Sequence, residues 1–294
     1  MQAENDEIFR ELLTELKIRG YSERTIKTYI YENMKFLDFL KGKRKEHQRP
    51  LIAEPGKWLL HSITREDIRD YEAYLVSDLK KKPASVGLIL SALKFFYSTV
   101  LDRNIFYKIS RPKRAKKLPT VINKWDISKM IELTSNKKHR LLIEVLYGSG
   151  LRVSEAVTLK RDDINPDQRF SILRSGKGNK DRQIIVSLKF RQTMRNYLKK
   201  REDSNKFLFN YKDSHISTRQ AQRIVRNAAV RAGIRSRVFC HALRSSFATH
   251  LLDSGIDISY IQALLGHERL STTEIYTKVS VERLRDIRSP LDRI

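Results

Sequence analysis

Arg111-Pro-Lys-Arg-Ala-Lys-Lys117, closed by Pro119, carries five positive charges, no acid and no helical period. That is the composition of an inter-domain linker. It divides the 294-residue chain into a domain over 1–110, a basic joint over 111–119 and a domain over 120–294. Length agrees, since about 100 to 200 residues per domain gives two domains, each able to bury its own core. The linker reads equally as a solvated tether or as a basic strap along a phosphate backbone.

Upstream of the linker, Ile8, Phe9, Leu12, Leu13 and Leu16 share one face of a helix over 7–18 that Gly20 stops. Ser22 predicts the N-cap of a second helix, striped by Ile26, Tyr29, Ile30, Leu37 and Leu40 and ended by Gly42. A polar loop with the basic cluster Lys41, Lys43, Arg44, Lys45 and Arg49 is expected next. Thr64 with Asp67 caps a third helix through Ile68, Tyr71 and Leu75, and Pro83 opens a fourth through Leu90, Leu93 and Phe96. Four such helices make a small bundle.

Downstream, the pattern predicts helices over 125–135 and 139–147, the turn Gly148-Ser149-Gly150, and an apolar helix from Leu151 to Leu159. The period then changes. Phe170, Ile172 and Ile184 to Val186 flank Ser175-Gly-Lys-Gly-Asn179, a hairpin with a glycine-rich tip. Helices resume over 188–200, 217–232, 241–254, 258–265 and 272–279, with a short one after Val281. The expected fold class is mainly α with a small β-sheet, a helical bundle joined to a larger mixed α/β domain.

Composition removes several classes. With 40% hydrophobic and 32% charged residues, 11 Gly and 7 Pro, the chain is neither disordered nor collagen-like. The lone Cys240 forms no internal disulfide and no thiolate zinc site. Met1 to Asp6 is polar and acidic, and no apolar run is read as reaching the roughly 18 residues of a membrane span, so a cytoplasmic protein without membrane contact is expected. Net charge is +25, most of it beyond residue 110, which points to a nucleic acid partner.

Arg152 stands at a helix start, and His241 and Arg244 lie at i and i+3 on another helix. Taken singly, such arginines are usually solvated, and the His–Arg pair reads equally well as structural. Lys177 lies between two glycines at the hairpin tip, but the G-x-x-x-x-G-K-[ST] spacing of a phosphate-cradling loop is missing, which disfavours a triphosphatase. Gly266-His267 closes one helix, and Ser271 with Glu274 caps the next, which carries Tyr276. Asp162-Asp163 reads as a solvated turn, and His241, His250 and His267 lack the close ligand spacing of a zinc site.

Together, Ser149-Gly-Leu-Arg-Val-Ser-Glu155, Lys177, His241-Ala-Leu-Arg-Ser-Ser-Phe-Ala-Thr-His250, Leu265-Gly-His267 and Ser271-Thr-Thr-Glu-Ile-Tyr-Thr277 resemble the tyrosine recombinase (phage integrase) family, most of all its compact Xer-like members. Ser22-x-x-Thr25-x-x-x-Tyr29 resembles that family's core-binding domain, so the likeness covers nearly the whole chain. The resemblance implies a SAM-like core-binding domain and a catalytic domain closing as a C-shaped clamp on duplex DNA. It implies a site-specific recombinase working through a 3′-phosphotyrosine intermediate and a Holliday junction, with no cofactor and no metal. Tyr276 matches the nucleophile, Arg152 and Arg244 the phosphate clamp, Lys177 the general acid, His241 a general base or acid, His267 a phosphate hydrogen-bond donor, and Glu155 an orienting residue.

The basic residues Lys43, Arg44, Lys45, Arg111, Lys113, Arg114, Lys116 and Lys117 are the expected DNA contacts. Implied partners are a partly palindromic target, a homotetramer on DNA, and a partner recombinase or accessory protein, with Val281 to Ile294 docking on a neighbouring subunit or folding back as an intramolecular helix. The implied role is Xer-like dimer resolution or mobile-element integration and excision. A type IB-like topoisomerase and a catalytically silent DNA-binding protein are the alternatives. Two positions depart from the family: Ser245, where a second histidine is common, and Lys278, where many members carry histidine.

Overall fold

The computed structural model describes residues 2–46, 60, 62–110, 112, 120–173, 181–266 and 288–293. The chain divides into two compact units, Met1–Lys117 and Leu118–Ile294. The architecture is mainly α with small two-stranded antiparallel sheets.

In the first unit, α1 (Gln2–Ile18) buries Ile8, Leu12 and Leu16, the 3.6-residue stripe of an amphipathic helix. Gly20, at φ 68°, turns the chain into α2 (Glu23–Glu46), where the Ser22 hydroxyl accepts from the Thr25 N–H at 3.2 Å. The expected stop at Gly42 does not occur. A single glycine costs a helix only about 1 kcal/mol, and the buried Phe36, Leu37 and Leu40 hold the helix through it. Lys43, Arg44 and Lys45 therefore sit on the last turn of α2 and not in a loop; their side chains, and Arg49, lie outside the described residues.

Thr64 and Asp67 form a reciprocal capping box at the start of α3 (Arg65–Ser77), and Pro83 is the first residue of α4 (Pro83–Phe95), which runs into a π turn, Phe96–Val100. The stretch Pro83–Val100 is long and apolar enough by length and composition to cross a membrane, contrary to the reading that no run approaches that length. Its apolar character has a local cause: Val86, Ile89, Leu90, Leu93, Phe96 and Tyr97 are the buried centre of this unit. Asn33 pins α2 to α4 by donating to the carbonyls of Tyr29 at 2.8 Å and Ala92 at 3.3 Å.

The second unit is built around α6 (Lys137–Gly148), buried at every residue from Leu141 to Gly148. Around it lie α5 (Lys124–Glu132), α7 (Val153–Thr158), α8 (Leu188–Leu198), α9 (Thr218–Arg231) and α10 (Cys240–Asp253), and α11 (Ile258–Leu265) packs on α10. Strands β1 (Phe170–Leu173) and β2 (Arg182–Ile185) pair antiparallel, Phe170 opposite Ile185 and Leu173 opposite Arg182. A second hairpin, β3 (Asn210–Tyr211) with β4 (Ser214–His215), was not anticipated, because two-residue strands carry no alternation to detect. Leu291, in the 3₁₀ turn Pro290–Arg293, is buried against Gly148, so this end of the chain packs on its own unit. The helix expected over 272–279 lies outside the described residues.

The helix expected from Leu151 starts only at Val153, because Gly150 turns at φ 60° and Arg152 takes the N-cap. A Cβ on Gly150 would stand 2.5 Å from a Phe247 ring carbon. Gly150→Ala is therefore expected to destabilise this unit by about 2 to 5 kcal/mol, the sum of a left-handed backbone penalty and overpacking. Gly233 has φ 73° but open space around it, so Gly233→Ala should cost only the backbone part, about 1 to 2 kcal/mol. Paired denaturant titrations of the two variants check the difference.

Candidate active site

Four side chains from α7, β2 and α10 meet at the C-terminal end of α11. Arg152 caps α7, and Glu155, at its third position, folds back to accept from the Arg152 backbone N–H at 2.8 Å through Oε2. The same carboxylate accepts from Arg152 Nη1 at 2.7 Å through Oε1. From β2, Arg182 donates Nη2 to Glu155 Oε2 at 2.6 Å and Nη1 to the Leu264 carbonyl. From α10, Arg244 donates Nη1 to the Gly150 carbonyl and Nη2 to the Leu265 carbonyl, both at 2.6 Å, and stands 3.9 Å from Glu155 Oε2.

Arg152 completes the set by donating Nη2 to the Gly266 carbonyl at 3.0 Å. Three successive carbonyls at the end of α11, those of Leu264, Leu265 and Gly266, are thus each taken by a different arginine. The last carbonyls of a helix lack intrahelical partners and carry the negative end of its dipole, so cations belong there. Gly266, at φ 61°, ends α11 in the left-handed conformation, and a Cβ there would meet Arg182 Cδ at 2.6 Å.

Three guanidiniums against one carboxylate leave this cluster with two net positive charges. Burial alone would raise the Glu155 pKa, but Arg182 and the bonds from Arg152 outweigh it and hold the carboxyl below its ordinary value. Burial first, then Arg152 and Arg182, push Arg244 down to about 9, which leaves it cationic at neutral pH. Arg152 keeps its side chain 26% exposed, while those of Arg182 and Arg244 are 7% and 3% exposed. One guanidinium faces solvent and two are set behind it, an arrangement able to stabilise an oxyanion that approaches from outside.

His241 lies three residues before Arg244, on the exposed side of α10, and its pKa is lowered by partial burial, then by Arg244 and Arg152. The neighbouring Cys240 is buried, its thiol pushed up to about 12. His250 is buried, with Nδ1 2.9 Å from the Tyr147 hydroxyl, and Ser245 is half-buried on α10. Among the described residues, no three His, Cys, Asp or Glu side chains gather as a metal-ligand group.

The structure thus brings Arg152, Glu155, Arg244 and His241 of the expected site into one neighbourhood. Lys177, His267, Tyr276 and Lys278 lie outside the described residues, as do Arg111, Lys113, Arg114, Lys116 and Lys117 of the expected DNA contacts. Two features escaped the sequence reading. Arg182 shares its strand face with the buried Ile184, and an arginine at an apolar position of a strand was the available signal. Arg219, Arg223 and Arg226 recur at i, i+4 and i+7 on the exposed face of α9, a basic stripe visible in the helical period.

The sequence pattern of the phage integrase family matches residues 120–283, and that of the phage integrase N-terminal SAM-like domain matches residues 8–106. Tyrosine recombinase XerA of Pyrococcus horikoshii is 34% identical over 290 residues, covering 96% of this chain and 92% of that protein. Tyrosine recombinase XerD of Listeria monocytogenes is 31% identical over 287 residues, covering 92% of each. Among solved structures, XerH site-specific recombinase bound to difH substrate, a pre-cleavage complex, superposes with a TM-score of 0.67 at 25% identity, covering 92% of this chain and 81% of that one.

Replacing Glu155 by alanine leaves buried guanidiniums without their counter-charge, a class of change that costs about 3 to 5 kcal/mol. Glu155→Ala is expected to unfold at correspondingly lower denaturant, read by circular dichroism. His241 titrates in the opposite sense to a histidine that gains an acidic partner. Its folded pKa lies below the ordinary 6.5, so the stability tied to its neutral form is full above 6.5 and falls as pH drops toward the folded value. A nuclear magnetic resonance titration of the DNA-free protein should place the His241 midpoint below 6.5.

Proposed function

This chain belongs to the phage integrase family and is a tyrosine site-specific recombinase; from that premise we propose that Tyr276 is its nucleophile and that Arg152 and Arg244 clamp the phosphate it attacks. The phenolic oxygen of Tyr276 bonds to phosphorus as the bond to the 5′-oxygen breaks. The leaving 5′-oxygen takes its proton from Lys177, and His241 handles the phenolic proton as general base and returns it as general acid. The product is a 3′-phosphotyrosine, which stores the phosphodiester energy, so religation by a 5′-hydroxyl from another strand needs no ATP and no cofactor.

The cluster of three arginines about Glu155 carries this reading. In-line attack spreads negative charge over the equatorial phosphate oxygens, and a fixed, partly buried pair of positive charges stabilises that distribution without reorganising at the moment of reaction. His267 supplies a further hydrogen bond to phosphate, and Glu155 orients the arginines. Removing either clamp arginine is expected to slow strand cleavage by about 10² to 10³-fold, the usual loss for one oxyanion donor.

The partner is duplex DNA, in keeping with a net charge of +25. Lys43, Arg44 and Lys45 in the first unit, the linker basic residues, and the α9 stripe Arg219, Arg223 and Arg226 are the assigned backbone contacts. The target is partly palindromic and is bound by a homotetramer that exchanges one strand pair at a time through a Holliday junction. The role is Xer-like resolution of chromosome or plasmid dimers, or mobile-element integration and excision, in the cytoplasm.

Covalent capture tests the proposal. The protein and its Tyr276→Phe variant are incubated with fragmented DNA of the source, denatured, and the protein-bound DNA is sequenced. A Tyr276-dependent adduct at one short, partly palindromic site is the expected result. Tight DNA binding with no adduct from the unaltered protein overturns the assignment of Tyr276.

A further inference from the structure

We propose that Arg182, which no part of the reaction above uses, is a positioning residue of the strand-transfer site: it occupies Glu155 and the end of α11 so that Arg244 stays on its backbone carbonyls and available to phosphate. The inference rests on the recombinase reading. Its basis is the distribution of acceptors around three guanidiniums.

A carboxylate offers about four lone-pair sites. At Glu155, Oε1 takes Arg152 Nη1, and Oε2 takes both the Arg152 backbone N–H and Arg182 Nη2. The next cation is Arg244, whose Nη1 stands 3.9 Å from Oε2, within Coulombic reach but beyond a hydrogen bond. Arg244 instead spends both Nη groups on the Gly150 and Leu265 carbonyls. If Arg182 is removed, Oε2 loses a charge-assisted partner in a buried setting, and Arg244 is the nearest group to replace it. Moving there breaks its carbonyl bonds and turns it from the phosphate to the carboxylate.

Arg182 also fixes the helix end on which the other two arginines sit. It holds the Leu264 carbonyl, one residue before the carbonyl taken by Arg244 and two before the one taken by Arg152. Its stem lies against Gly266 so closely that no Cβ fits between them. A planar fork serves two acceptors at once, whereas a lysine ammonium is a single point of charge. The geometry therefore requires an arginine, and a positive charge alone does not suffice.

The test uses full-length Arg182→Lys and Arg182→Gln, with thermal melting as the check on folding. On a nicked duplex carrying the site recovered by covalent capture, both variants are expected to form the phosphotyrosine adduct at least about tenfold more slowly in single turnover, with Kd for that duplex within about threefold. An Arg182→Lys variant that cleaves at the unaltered rate overturns the proposal, as does a rate loss that only follows a loss of affinity. A DNA-free measurement separates this inference from the reading it rests on. Burial first, then Arg244 and Arg152, lower the His241 pKa, so a His241 midpoint that rises in Arg182→Gln reports a displaced Arg244. If the unaltered protein forms no adduct, the assignment of Tyr276 falls, and the His241 midpoint decides this one: a rise supports it, and no change overturns it.

Discussion

One buried carboxylate governs the second unit. Glu155 is the acid on which guanidiniums from three separate elements converge, and like charges so close together persist only with a counter-charge between them. Its burial costs free energy that its own bonds must offset, so α7, β2, α10 and the end of α11 have to arrive together. The two left-handed glycines are part of the same constraint. Gly150 aims its carbonyl at Arg244, and Gly266 aims its carbonyl at Arg152 while leaving space for the Arg182 stem.

The excess of positive charge held in this way is what the proposed phosphate clamp requires. A cluster neutral on its own would gain little from a phosphate, and a looser set of arginines would have to be ordered at each turnover. Here the ordering is done during folding, by backbone carbonyls that are weaker acceptors than a phosphate oxygen. Dipolar acceptors hold the guanidiniums in place without cancelling their charge, whereas a second carboxylate would cancel it. Partial burial lowers the pKa of His241, and the Arg244 and Arg152 guanidiniums lower it further.

Most of the fold was legible because its cues are local. Thr64 with Asp67, Ser22 with Thr25 and Pro83 announce helix starts through bonds or φ values fixed within a few residues. Gly42 misled for the same reason: its local preference is to end a helix, and the buried stripe of α2 overrode it. The β3–β4 hairpin was invisible because it is shorter than the pattern that identifies a strand. The apolar stretch Pro83–Val100 shows the limit from the other side, since core and membrane impose the same composition and burial distinguishes them.

At the site, sequence alone determined which residue types were present and in what order: an arginine and a glutamate at one helix start, a histidine and an arginine three residues apart on another helix, and motifs resembling a known family. It also determined helix periods and caps, because those interactions span three or four residues. Only the tertiary structure decided that Arg182 belongs with them and that the carbonyls of Leu264, Leu265 and Gly266 are the acceptors of Arg182, Arg244 and Arg152. Those bonds join residues tens of positions apart, and their acceptors are backbone atoms that every residue possesses. Such acceptors acquire meaning only where a helix ends beside an incoming cation, and no pattern of side chains along the chain records that.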